Sequence, residues 1–105
     1  MSSFDKREEG FEKKFALDEE QKFKAEARRN RLLGMWAAEK LGITGDAATA
    51  YAKEVVAADF EEAGDVVRKV MADLTAKGVA LTPPQLRAKM DELMATAIMQ
   101  VKAGT

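Results

Sequence analysis

Three arginines within four positions, Arg28, Arg29 and Arg31, are the densest concentration of reactive side chains in this chain. A guanidinium is planar, permanently charged and shaped to meet phosphate or carboxylate oxygens, so such a cluster could hold an anion. Its surroundings argue against nucleic acid as that anion. Glu26 stands close by, acidic runs lie on either side, and neither a helix-turn-helix nor a row of stacking aromatics accompanies it. No Gly-x-x-x-x-Gly-Lys-Ser/Thr loop is present to cradle phosphates. A solvated helix face laced with ion pairs is the commoner outcome for this pattern. A contact with an acidic protein surface and a weak nucleotide contact stay open as alternatives. Asp59, Glu61, Glu62 and Asp65 form a second group, but their spacing does not match an EF-hand loop. They stand where one helix ends and another begins, which suits capping better than metal binding.

The chain has no histidine and no cysteine, and its only serines are Ser2 and Ser3. Imidazole general bases, thiol nucleophiles and histidine or cysteine metal ligands are therefore excluded. The expectation is a protein that is not an enzyme and needs no cofactor or metal. Its chemistry has to be recognition.

Phe4, Phe11 and Phe15 are the strongest recognition signal. At spacings of seven and four they fall within about 40° of one another on a helix. Lys6, Arg7, Glu8, Glu9, Glu12, Lys13 and Lys14 surround them. Glu9 and Lys13 are an i,i+4 pair in the favourable order, acid first. The segment is thus written as a helix with one narrow aromatic stripe. Burying three phenylalanines returns less than the cost of ordering the whole segment. Short isolated helices are marginal in water, and Gly10 weakens this one further. Residues 1–17 are therefore expected to be flexible alone and helical against a partner, the mode in which an amphipathic helix lies in a groove. The residues alone do not name that groove. A helical adaptor using the same stripe on another protein fits the pattern equally well.

The rest of the chain reads as the anchor. Residues 23–42, FKAEARRNRLLGMWAAEKLG, are rich in strong helix formers. Phe23, Ala27, Asn30, Gly34, Ala37, Ala38 and Leu41 recur at helical spacing, and Trp36 suits a core anchor. A first helix is expected over residues 18–41, ended by Gly42 with Ile43 behind it. A second is expected over 46–62, with Thr44 and Asp46 as candidate caps and Ala48, Tyr51, Ala52, Val55, Val56 and Phe60 inward. Gly64 would stop it. A third, capped by Asp65, presents Val66, Val67, Val70, Met71 and Leu74 and stops at Gly78. The fourth opens on Thr82-Pro83-Pro84-Gln85, a capping box with proline in the first turn. Leu86, Met90, Leu93, Met94, Ala97, Ile98 and Val101 follow at bundle-helix spacing.

No strand-like alternation occurs. The fold class is all-α, a small four-helix bundle over residues 18–105 with a conditionally helical N-terminal segment over 1–17. The chain's net charge of −1 argues against a broadly electrostatic nucleic-acid binder. No run approaches the ~20 apolar residues of a membrane span. The opening MSSFDKREEG has no apolar core of a secretory signal and is too acidic for a transit peptide.

Taken with the stretch before it, FDKREEGFEKKFALDEEQKFKAEARRNRLLGMWAAEKLG resembles the zeta subunit of alphaproteobacterial F-type ATP synthases, a small inhibitor of ATP hydrolysis. Residues 27–39, ARRNRLLGMWAAE, are its most specific part, and YAKEVVAADFEEAGD at 51–65 also fits. The chain departs from the family in passing directly from Gly64-Asp65 to Val66-Val67, where the family carries an acidic insertion. The resemblance implies that the N-terminal segment is the inhibitory element. It would insert at a catalytic alpha–beta interface beside the central stalk, so the partners would be the alpha, beta and gamma subunits. It implies a cytoplasmic protein, peripheral on the inner-membrane synthase. Phe4, Phe11, Phe15 and the charged residues among them match the inhibitory positions.

Overall fold

The computed structural model describes residues 17–61 and 64–104. They form four helices in chain order: α1 (Glu19–Leu41), α2 (Gly45–Asp59), α3 (Asp65–Ala76) and α4 (Pro83–Lys102). Among the described residues there is no strand. The all-α four-helix architecture is as expected.

Local chemistry sets most of the helix ends. Asp18 caps α1 in an extended conformation. Its carboxylate accepts from the Gln21 N–H at 2.7 Å, and the Gln21 side chain accepts from the Asp18 N–H at 3.3 Å. Thr82 and Gln85 repeat that reciprocal box at the start of α4, with prolines in the first turn. Each cap is worth roughly 1 kcal/mol. Gly42 ends α1 at φ 76°, and the Ile43 N–H reaches back to the Ala38 carbonyl at 2.9 Å. After α3, Gly78 at φ 84° sends the Val79 N–H to the Leu74 carbonyl at 2.9 Å. Both are left-handed stops of the kind glycine permits.

The α2–α3 junction differs from expectation. α2 ends at Asp59, three residues short of Glu62, which lies outside the described residues. The Phe60 and Glu61 N–H groups bond the carbonyls three residues back, so the last turn tightens and closes early. Gly64 takes the cap position of α3. Asp65, expected as the cap, is the first helical residue, its carboxylate paired with Arg68. Thr44 stands at the cap of α2 without a side-chain hydrogen bond.

α1 is the central element and runs antiparallel to both α2 and α4. Phe23 meets Phe60 while Gly34 meets Ala52; Arg28 meets Gln100 while Trp36 meets Lys89. The α1–α2 crossing is lined with small residues, including Gly34, Ala37, Ala38, Ala48 and Ala52, all buried. Leu33, Val55, Val70, Leu74 and Leu86, contributed by all four helices, are fully buried and close the core. Trp36 packs against this core without entering it. It is half-buried, with Lys40 and Lys89 ammonium groups 5.4 and 5.7 Å from its ring centroid.

One polar network joins α2 to α3. The Tyr51 hydroxyl donates to Asp73 Oδ2 at 2.7 Å, and Lys69 Nζ lies 3.2 Å from the same oxygen and 3.4 Å from Glu54. Burial first, then the bond to Asp73, holds the Tyr51 hydroxyl pKa above its ordinary value.

Two outcomes follow from this packing. A Cβ at position 34 would lie 2.5 Å from the Ala52 Cα, so Gly34→Ala forces the α1–α2 crossing apart. Helix propensity alone would make that change stabilising by about 1 kcal/mol. Overpacking reverses the sign, and urea denaturation should show a net loss of about 1–3 kcal/mol. For Tyr51, the folded state holds its proton more tightly than the unfolded chain, whose tyrosine titrates near ~10. Its contribution is full below that pH and fades as pH rises beyond it. Tyr51→Phe should cost about 1–2 kcal/mol at pH 7, and that cost should shrink in denaturation curves taken above pH ~10.

Candidate functional site

The aromatic stripe of Phe4, Phe11 and Phe15, with Lys6, Arg7, Glu8, Glu9, Glu12, Lys13 and Lys14, lies outside the described residues. What the structure does fix is where that segment departs. Leu17 is half-buried, and the chain enters α1 through the extended backbone of Asp18.

The arginine cluster splits in two: Arg28 and Arg31 line one hollow, and Arg29 lies apart. Arg28 is part-buried and donates to Gln100 Oε1 on α4 at 3.3 Å. The Arg29 Nε donates to Asn30 Oδ1 at 3.1 Å. Arg31 is exposed and borders an apolar hollow between α1 and α2. Helical geometry explains the split, because adjacent residues point about 100° apart. Three guanidiniums therefore do not converge on one anion. Asn30 itself is 1 % exposed, and its amide nitrogen has no hydrogen-bond partner among the described residues. Around Asp59, Glu61 and Asp65, and elsewhere among the described residues, no three carboxylates come close enough to hold a metal ion.

The surface feature that sequence reasoning missed is a groove along α1. Phe60 was expected to face inward, and Phe23 to share one face of α1 with Ala27, Asn30 and Gly34. In the structure Phe23 is 56 % and Phe60 66 % exposed, and their rings pair with centroids 5.9 Å apart. Met35, 43 % exposed, lies just over three turns along α1 from Phe23. Between these points the groove widens to about 750 Å³ over Phe23, Lys24, Ala27, Arg31 and Val56. It runs on into a hollow of about 390 Å³ over Met35, Ala52, Lys53 and Val56. Arg31 and Val56 belong to both. The hollow at the Met35 end is mainly apolar, with Arg31 and Lys53 at its edge. The larger one is mixed: Val101 of α4 and Gly104 just past it bound it together with Val56, Lys24, Arg28 and Arg31 stand along it, and Asp18 and Glu20 lie at the α1 N-terminal end. The signal available in the sequence was the flanking charge: Phe23 lies between two lysines and Phe60 between Asp59 and Glu61. The arrangement offers apolar surface flanked by charge of both signs.

The family model described as ATPase inhibitor subunit zeta matches residues 1–100 of this chain. Among solved structures, the chain is similar to a protein determined by solution NMR. The two share 55% identity, the match covers 79% of this chain and 96% of that one, and the TM-score is 0.68. No curated protein matches the chain.

If Phe60 is a surface residue, its truncation should be tolerated. Phe60→Ala should cost under about 1 kcal/mol in urea denaturation, whereas Leu86→Ala, at a fully buried site, should cost about 2–5 kcal/mol. Comparable losses at the two positions would place Phe60 in the core.

Proposed function

Because the chain belongs to the ATPase inhibitor subunit zeta family, we propose that it halts ATP hydrolysis by an F-type ATP synthase with its N-terminal segment as the working part. The family match carries this reading. An amphipathic stripe such as Phe4/Phe11/Phe15 is the pattern by which a helix lies in a partner's groove. The family match begins at residue 1 and so includes that stripe.

In this reading the bundle is the anchor and residues 1–17 are the wedge. The segment folds against a catalytic alpha–beta interface near the central stalk and occupies a cleft that must close in each catalytic cycle. Phe4, Phe11 and Phe15 supply the buried contact. The surrounding charges, among them Lys6, Arg7, Glu8, Glu9, Glu12, Lys13 and Lys14, fix orientation more than affinity. No bond is made or broken by the inhibitor. Among the described residues, no helix is long and apolar enough to cross a membrane. In this reading the chain associates with the synthase head through protein contact.

The test is ATP hydrolysis by the catalytic head of an alphaproteobacterial ATP synthase, with the full chain and with a chain lacking residues 1–16. The full chain should inhibit. The shortened chain should not, while circular dichroism shows its helices intact. In the full chain, Phe11→Ala should weaken inhibition about tenfold or more, as loss of a central aromatic anchor does. Inhibition by the shortened chain would move the function to the bundle. No inhibition by either would favour the adaptor reading.

A further inference from the structure

We propose that Asn30, Glu26 and Asp59 hold one long-lived water molecule beneath the Phe23–Phe60 pair, and that this water hydrogen-bonds the middle of α1 to the end of α2. The site is independent of the inhibitory role proposed above.

Asn30 stands at the middle of α1 and is 1 % exposed. A side-chain amide offers one oxygen as acceptor and one nitrogen as donor. The oxygen is engaged, since Arg29 Nε donates to it at 3.1 Å. The nitrogen has no partner among the described residues. A buried donor without an acceptor costs more than an ordinary hydrogen bond returns, so such groups in native proteins find protein or ordered water. Turning the amide over gives no relief. Its nitrogen would then face the Arg29 N–H, donor against donor.

The surroundings supply both room and partners. Asn30 lines a small cavity of about 20 Å³ between α1 and the end of α2. One water needs ~10–15 Å³, so the cavity takes one and not two. Glu26, about one turn before Asn30, and Asp59, the last residue of α2, line the same cavity and are half-buried. Among the described residues neither carboxylate is engaged in an ion pair or a hydrogen bond. The site therefore presents one donor and two acceptors. Its complement is a molecule with one acceptor and two donors. Water is that molecule: it accepts from the Asn30 N–H and donates one proton to each carboxylate. Three such bonds are the usual number for a buried water. A metal cation would need the amide oxygen that Arg29 already holds, and no metal-ligand cluster forms among the described residues. An anion would meet two carboxylates.

The same cavity gives the exposed ring pair a role. Phe23 and Phe60 line it, with centroids 5.9 Å apart, while keeping much of their outer faces in solvent. The rings stand between the water and the bulk. They slow its exchange, and they do so from positions that add little to the core.

The test uses the full-length chain labelled with ¹⁵N. Asn30 is its one asparagine, so the side-chain amide pair is identified without ambiguity. Laboratory-frame and rotating-frame Overhauser spectra should each show a cross-peak from water to these amide protons, and the two peaks should have opposite signs. Opposite signs mark a water that stays through molecular tumbling, whereas surface hydration and proton exchange each give the same sign in both spectra. No hydroxyl side chain lines the cavity to relay the signal. The exposed Gln85 amide should lack the opposite-sign pair. Phe60→Ala should abolish it at Asn30, and so should the double change Glu26→Ala, Asp59→Ala, with circular dichroism showing both variants as helical as the parent. Water peaks of equal sign at Asn30, or Overhauser contacts from its amide protons to a protein acceptor in place of water, would overturn the site. Survival of the long-lived signal in Phe60→Ala would overturn the covering role of the rings, and its survival in the double variant would overturn the carboxylates as the water's acceptors.

Discussion

The close approach of α1 to α2 at Gly34 and Ala52 is the constraint on which the rest of the bundle depends. With no side chain at 34 and a methyl at 52, the two backbones meet at a distance no larger pair would permit. Alanines at 37, 38, 48 and 52 keep that spacing along the interface. Such a narrow seam buries little area per residue. The stabilising apolar bulk must therefore sit at its sides, and Leu33, Val55, Val70, Leu74 and Leu86 occupy that place, with α3 and α4 closing over them. Among the described residues of this cysteine-free chain, that packing is joined by helix caps and polar links such as Tyr51–Asp73.

The narrow seam also explains the groove. Helices that pack tightly through small residues leave no room between them for a large ring, so Phe23 and Phe60, at the end of the crossing, are displaced to the outer surface. Their contact with each other replaces the burial that helical spacing alone had implied. The hollow over Met35, Ala52 and Val56 is the outer edge of the same interface. Core and candidate recognition surface are thus two faces of one pair of helices.

What was legible in the sequence follows from range. Both Thr82–Gln85 and the glycine stops at Gly42 and Gly78 are written in a few consecutive residues, and the structure has them. Helical spacing placed Leu33's neighbours, Val70, Leu74 and Leu86 correctly because periodicity reports the mean direction of a face. It could not report how deep each position lies. Trp36 and Phe60 have the right spacing for the core, yet one lies at its margin between two lysines and the other outside it. The end of α2 was misread because an early tightening of the last turn depends on hydrogen bonds that composition does not encode. The arginine run looked like one anion site only as text; on the helix its members diverge to Gln100, Asn30 and the groove. The larger hollow needs α1, α2 and the end of α4 at once and had no signature in any one of them.

An N-terminal segment with a narrow aromatic stripe is a poor independent structure, and that weakness suits an inhibitor. A helix stable by itself would keep its shape whether or not a partner were present, and its surface would differ little between the two conditions. A segment that gains order only against a partner loses its conformational entropy at the moment of binding, so the fit between stripe and cleft decides whether it orders at all. With no histidine in the chain, that step cannot be moved by imidazole titration near neutral pH.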